Sequence, residues 1–379
     1  MKKALIIIGL SILAGVIVIT SLYYLLPVAL VREDPREPIQ RISPTGVEVE
    51  TVADNLDIPW AIDFADNGDI FFTERSGSVR MIRQGQLVEQ SLLDLERVDG
   101  EGGTLGIALD PEFSKTQHIY IYYTTRAMNN RVSRFEFAEN KLTSETVLLD
   151  SIPGASTHNG GRIAFGPEGH LYIGTGDAED PDAAQDVNSL AGKILRINRG
   201  GDIPSDNPFP NSAVYSIGHR NVQGLDWDDN GALHATEHGP QARDEINRIS
   251  PGKNYGWPHI AGNLEAGEPD PVENYQDPLI SSGGTTWAPS GMSFYINNVL
   301  PPEWSDSLLF AGLRSQSLWR YQPQDGSLVA LLSDEYGRLR DVAVAPDGTV
   351  YLLTSNRDGR ALSTDESDDR ILRIVPLAE

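Results

Sequence analysis

The segment GPEGHLYIGTGD (166–177) places a Pro-Glu-Gly turn directly before a short apolar run. The pattern recurs in ADNGDIFFTE (65–74), DPEFSKTQHIYIYYT (110–124), DDNGALHATEH (228–238), PEWSDSLLFAGL (302–313) and APDGTVYLLTS (345–355). Asp-Gly or Asn-Gly between apolar runs is the strongest short-range hairpin signal. The turns begin near residues 66, 111, 167, 228, 302 and 346. Six units at an uneven spacing of roughly forty to seventy-five residues fit an all-β fold, a six-bladed β-propeller of four-stranded antiparallel blades, better than a sandwich. No amphipathic pattern of helix length recurs between them, which removes a parallel α/β architecture. A propeller must close its ring, and Val47 to Val52 and Arg370 to Val375 both read as strands, so the N-terminal strand is expected to complete the blade formed by the C-terminus.

Outside these units the chain changes character. After Met1-Lys2-Lys3, residues Ala4 to Val31 carry no charge, a run long enough to span a bilayer as a helix of ~20 residues or more. With Tyr23-Tyr24 at the level of an interfacial belt, residues 1–31 read as an uncleaved transmembrane anchor or, alternatively, a long signal peptide. Lys2 and Lys3 put the N-terminus in the cytoplasm and residues 46–379, the propeller domain, on the extracytoplasmic side, periplasmic or at the cell surface. Residues 32–45 are proline-rich and charged, as a spacer would be. There is no cysteine, so disulfides and thiolate chemistry are excluded. The formal net charge of -24 disfavours nucleic acid as a partner and favours cations.

One stretch, GHRNVQGLDWDDNGALHATEHGPQARDEINRISPGKNYGWP (218–258), is dense in glycine, asparagine and carboxylates and poor in apolar period. Gly239-Pro240 fixes a turn whose carbonyls suit a hard cation such as Ca²⁺, and Asp244, Glu245 and Tyr255 add oxygens nearby; an acidic surface loop would look the same. Arg220-Asn221 supplies positive charge and amide donors for an anionic ligand. His158, in the glycine-flanked loop THNGG, is a candidate general base, and Asp177, at the far end of the next hairpin, can orient its ring. No glycine-rich dinucleotide fingerprint follows a strand, which argues against NAD and FAD.

Six segments in order, GEGGTLGIALDPEF (100–113), THNGGRIAFGPEGHLYIGTGD (157–177), GHRNVQGL (218–225), TEHGPQARDEIN (236–247), KNYGWP (253–258) and GRLRDVAVAPDG (337–348), resemble the glucose/sorbosone dehydrogenase family. These are quinoproteins that oxidise aldoses with pyrroloquinoline quinone (PQQ) and Ca²⁺. The resemblance implies His158 as proton acceptor supported by Asp177, PQQ contacts at Glu101, Arg220, Asn221, Arg314, Arg338 and Arg340, and a PQQ-linked Ca²⁺ on the carbonyls of Gly239 and Pro240. It also implies a second, structural Ca²⁺ at Glu245 and Tyr255, with electrons passed to a quinone or other carrier. Three positions depart from the family pattern. Glu101 stands for glutamine, so its carboxylate must be neutralised by burial or turned toward a cation; Arg314 stands for lysine; His238 fills a slot that is glutamine in some members. A Ca²⁺-dependent propeller hydrolase such as a lactonase, or a non-catalytic binding propeller, are the competing readings. Of the tryptophans, Trp287 is the best ligand platform while Trp60, Trp227, Trp257, Trp304 and Trp319 read as core or rim, and Arg162 and Lys193 read as solvated or loop-pairing charges.

Overall fold

Each of the six turns read from sequence closes the first hairpin of one sheet in the computed structural model, which describes residues 39–263 and 274–377. In four of them the closure is the same. The N–H of Ala65, Gly166, Asp228 or Ala345 donates to the carbonyl four residues on, at 2.8–3.0 Å. The glycine inside each turn, Gly68, Gly169, Gly231 or Gly348, has φ between +76° and +85°, a region that a Cβ makes costly.

The sheets form six blades. In chain order their first strands are Pro59–Phe64, Thr104–Leu109, Ile163–Phe165, Val222–Trp227, Pro289–Tyr295 and Leu339–Val344, and each packs against the next around a closed ring. The second strands, such as His118–Thr124 and Val350–Thr354, are buried on both faces because blades cover them from either side, which accounts for continuous apolar runs like IYIYY and VYLLT. The core is therefore distributed between sheets. One cluster, built around Phe71, Leu105, Tyr122 and Leu195, runs through the first three blades, and smaller clusters join the others pairwise.

The ring closes as expected. Val47–Ala53 pairs antiparallel with Ile371–Pro376, in the register Val47↔Pro376 and Val49↔Ile374. The spacer expectation needs correction at its end: Gln40–Ile42 is a strand, parallel to Ser327–Leu331, and adds a fifth member to the outer edge of the fifth blade. Backbone pairing with an otherwise open edge outweighs the polar composition there. Among the described residues no helix is long and apolar enough to cross a membrane; the expected anchor, 1–31, lies outside the described residues.

Of the two charges expected to be solvated or to pair with loops, neither is solvated. Arg162 is buried and its guanidinium bonds Asp341 across the channel at 2.8 Å and the Gln223 carbonyl at 2.9 Å, with its face over Trp60. Lys193 is fully buried, and its ammonium donates to the carbonyls of Ala183, Ala184 and Ala191 at 2.7–2.9 Å. Three carbonyls replace its water, which is why a lysine can end there.

Candidate active site

In a propeller blade the first strand starts, and the second ends, at the same face. Loops between blades and loops after second strands therefore converge on one mouth of the channel. Here that mouth gathers Glu101, His158, Arg220 and Arg338 from loops entering blades, and Asp177, His238 and Asp358 from loops after second strands. The opposite mouth opens on a cavity of about 520 Å³ lined by the hairpin turns, with Asp63, Asp226 and Trp227, and contains none of these residues.

His158 is the most constrained of them. Its Nδ1 lies 2.8 Å from Asp177 Oδ1, and its Nε2 lies 2.9 Å from an Nη of Arg220. A guanidinium can only donate, so Nε2 is the unprotonated nitrogen and Nδ1–H donates to Asp177. The other carboxylate oxygen of Asp177 accepts the Trp257 indole N–H at 2.8 Å, and Asp177 is fully buried. Backbone bonds hold the cluster: Asp177 N–H to the Arg220 carbonyl at 2.8 Å, Ala178 N–H to the His158 carbonyl at 3.2 Å. Gly176 is required at that crossing, since a Cβ would collide with the His158 carbonyl. Tyr122, from the core, donates its hydroxyl to the Asn159 carbonyl at 2.8 Å and ties the His158 loop to the second blade.

Around this pair stands a set of arginines. Arg338 and Arg340 are buried; Arg338 is held by Asp358 at 2.8 Å, and Arg340 by Gln223 Oε1 at 3.0 Å. Gln223 in turn donates to Asn221 Oδ1, which accepts the Gly160 N–H at 3.0 Å, so Asn221 sits between the histidine loop and the arginines. Burial pushes the Arg340 guanidinium down to about 9, against the opposing pull of Asp358, and burial likewise lowers Arg220. Burial also pushes the His238 ring down to about 4, so it is neutral at pH 7. The Nε atoms of Arg220 and Arg340 and Nε2 of His238 are buried with no hydrogen-bond partner among the described residues. The two guanidinium donors, both cationic, call for an anion, and the neutral His238 ring can donate or accept beside it. Arg314 is exposed, in the loop whose Leu313 carbonyl accepts from Arg338, and its guanidinium reaches no partner among the described residues.

Glu101 takes the second of its two options and turns to a cation. It pairs with Arg360 at 2.5 Å, and although burial pushes its carboxyl up, Arg360, the His158 N–H and Arg340 together hold it below the usual range.

The Gly239-Pro240 turn is set by Asp244. One oxygen of Asp244 accepts the Gly239 N–H at 2.9 Å and the other accepts from Thr286, Trp287 and Ala288. Asp244 is thus a loop brace, while the Gly239 and Pro240 carbonyls accept no hydrogen bond among the described residues. Next to the turn, Gly218, Glu237, Glu245, Tyr255 and Trp257 line a cavity of about 10 Å³, room for one small ion or water. Burial, then the neighbouring Glu237, pushes the Glu245 carboxyl far up. The Tyr255 hydroxyl is committed to the Arg248 carbonyl and the Ser250 N–H, so only its carbonyl is free to face a cation. Among the described residues no three His, Asp or Glu side chains converge as a metal-ligand set, so a cation here must draw on backbone carbonyls.

Trp287, expected as a ligand platform, is buried against Phe310 and Trp319. Trp257 occupies the site instead, bonded to Asp177 and 5.2 Å beneath the Arg220 guanidinium. Sequence reading also missed Asp358, Arg360 and Gln223. The polar turn SNRDGR (355–360), following a second strand as the Asp177 and His238 loops do, carried the signal for the first two.

The model of the family described as glucose/sorbosone dehydrogenase matches residues 56–363. This chain belongs to that family. The matched span contains every residue of the site from Glu101 to Arg360. A solved structure of the PQQ-bound aldose sugar dehydrogenase of Streptomyces coelicolor is 38% identical, covers 88% of this chain and 99% of its own, and superposes with a TM-score of 0.78. The aldose sugar dehydrogenase YliI of Escherichia coli is 31% identical over 88% of this chain and 94% of its own length. Quinoprotein glucose dehydrogenase B of Acinetobacter calcoaceticus is 34% identical over 56% of this chain and 52% of its own. Family membership leaves to side-chain chemistry which group each member of the site handles.

Proposed function

We propose that this protein is a PQQ- and Ca²⁺-dependent aldose dehydrogenase that oxidises the C1 hydroxyl of a sugar to the lactone and hands the electrons to a quinone or other carrier. The observation that carries the reading is the pairing of an unprotonated His158 Nε2, oriented by Asp177, with an under-satisfied buried arginine set. The first is a general base; the second fits the carboxylates of PQQ.

In this reading Arg220, Asn221, Arg338 and Arg340 hold the cofactor, with Arg314 at the rim, and Glu101 faces away toward Arg360. The free carbonyls of Gly239 and Pro240 hold the cofactor-linked Ca²⁺, and Glu245 with the Tyr255 carbonyl holds a second, structural one. When bound, PQQ supplies an electrophilic quinone able to accept a hydride, and Ca²⁺ polarises it. His158 Nε2 takes the proton of the C1 hydroxyl once Arg220 turns from the ring to an anionic ligand. Asp177 then stabilises the imidazolium through the Nδ1 hydrogen bond, and Trp257 keeps Asp177 from rotating.

The hydrolase reading has superficial support in Ser216, His219 and Glu237, spaced at 2.8 and 3.0 Å like a hydrolytic triad. All three are buried, and Glu237 is also committed to the Arg220 N–H and Asn247, so this line supports the loop rather than a substrate. The test is steady-state dye reduction by the full chain loaded with PQQ and Ca²⁺, over a panel of aldoses, beside lactone hydrolysis without cofactor. Aldose-dependent reduction is expected. Hydrolysis alone would transfer the site to the other class.

A further inference from the structure

We infer that Glu101 and Arg360 form a brace that holds the backbone of His158 in its working position, making both positioning residues for the proposed proton acceptor. This rests on the reading of His158 as the base.

The geometry is reciprocal. Glu101 donates its own N–H to the Ser156 carbonyl at 2.8 Å, while its carboxylate accepts the His158 N–H at 3.0 Å, so one residue clasps the loop on both sides of Thr157. His158 needs such a clasp. Its φ is +57°, the left-handed region that a residue with a Cβ occupies only when its surroundings over-determine it. The ring is fixed by Asp177 and Arg220, the carbonyl by Ala178, and the N–H by Glu101 alone. The remaining Glu101 oxygen pairs with Arg360, whose side chain is 55% exposed against 24% for Glu101. A charged acceptor makes the stronger bond to a backbone N–H, and a cation on its far oxygen keeps it charged beside a buried surface. Arg360 itself is positioned by its own N–H, which donates to Asp358 at 2.9 Å, so the brace reaches from the carboxylate that secures Arg338 to the backbone of the base. The glutamate at this position therefore has a local function that comes with its partner arginine.

The charged and titratable groups facing Glu101 are Arg360, His238, Arg340, Arg75 and Arg220, with Glu179 on the far side of the clasped loop, where it accepts from Ser156 and Thr157. The cations outnumber the acid, so loss of Arg360 removes the nearest of several.

Labelling the full chain with ¹⁵N-histidine, without cofactor or sugar, gives one amide signal for each of the seven histidines, and His158→Gln identifies the one that matters. Beside any change that follows protonation of its own ring, its shift should show an acid-range step from the Glu101 carboxyl. That step should vanish in Glu101→Gln and move to higher pH in Arg360→Ala, because removing a cation makes a carboxylate easier to protonate. In the loaded enzyme Arg360→Ala should lower kcat about tenfold or more with sugar KM within about twofold, and Arg360→Lys should recover part of it. A His158 amide that lacks this step, or whose step is the same in Arg360→Ala, overturns the brace whatever the activity. Should the amide behave as expected while no aldose is oxidised, the brace stands and the assignment of His158 as base falls. Arg360 is exposed enough that its variants fold even if Glu101→Gln does not.

Discussion

At the scale of single residues, the arrangement around Asp177 is built from donors only. His158 Nδ1–H and the Glu179 N–H reach one oxygen, and the Trp257 indole reaches the other. An asparagine there presents an NH₂ to one of these donors, so Asp177→Asn should cost nearly as much rate as His158→Ala, about 10²–10⁴-fold for loss of a general base. Turnover numbers of the two variants, with cofactor affinity followed by absorbance and expected to change little, check this; full activity in either removes it from the mechanism. That His158 and Asp177 meet was legible in the sequence, because glycine-flanked loops at the two ends of a hairpin mark themselves. Trp257 and Asp358 were not, since their roles depend on which loop they meet rather than on their neighbours. Lys193 was unreadable for a related reason: its partners are three backbone carbonyls, and any sequence provides those.

Elements show the same division. Turn glycines at positive φ are local requirements and mark four of the six first hairpins, while Asp-Pro and Pro-Pro steps mark the other two, so all six could be placed from sequence; the Gln40–Ile42 strand instead depends on the free edge of a blade far along the chain. Neighbouring blades are also clipped by aspartates that no periodicity reveals. Asp226, on the first strand of the fourth blade, accepts the Phe294 N–H of the fifth at 2.7 Å, and Asp63 accepts the Leu109 N–H of the second blade at 2.7 Å. Burial raises both carboxyls to about 6, against the lowering effect of those N–H donors. A raised pKa means that the folded chain holds its proton more tightly than the unfolded chain, so this contribution to stability is complete below about pH 4 and is lost as pH rises through 6. The stability of wild type relative to Asp226→Asn should therefore fall between pH 4 and 6 and level off above, as read by thermal or denaturant unfolding; a difference independent of pH contradicts the shift. Asp226→Ala, which strands buried N–H groups, should cost about 1–3 kcal/mol near neutral pH and more toward pH 4, because the variant has no group to titrate there.

For the molecule as a whole, ring closure by Val47–Ala53 against Ile371–Pro376 fixes the relative positions of all six blades, and so of a site whose parts lie as far apart in sequence as Glu101 and Arg360. The closing strands could be read from sequence because both ends of the domain alternate in the same way. What they enclose could be read only as residue types: the sequence offered arginines, but their unsatisfied Nε atoms and their restraint by Asp358 and Gln223 are products of the closed ring. The proposed function requires that this ring of charge receive a quinone which a sugar can reduce. Full-length protein, stripped of metal and then loaded with Ca²⁺ and one equivalent of PQQ, should bind the cofactor, and its oxidised quinone absorbance should bleach on addition of excess aldose, in a single turnover that His158→Ala slows without releasing the cofactor. A bound quinone whose spectrum no aldose alters, or no binding of PQQ in the presence of Ca²⁺, would contradict it.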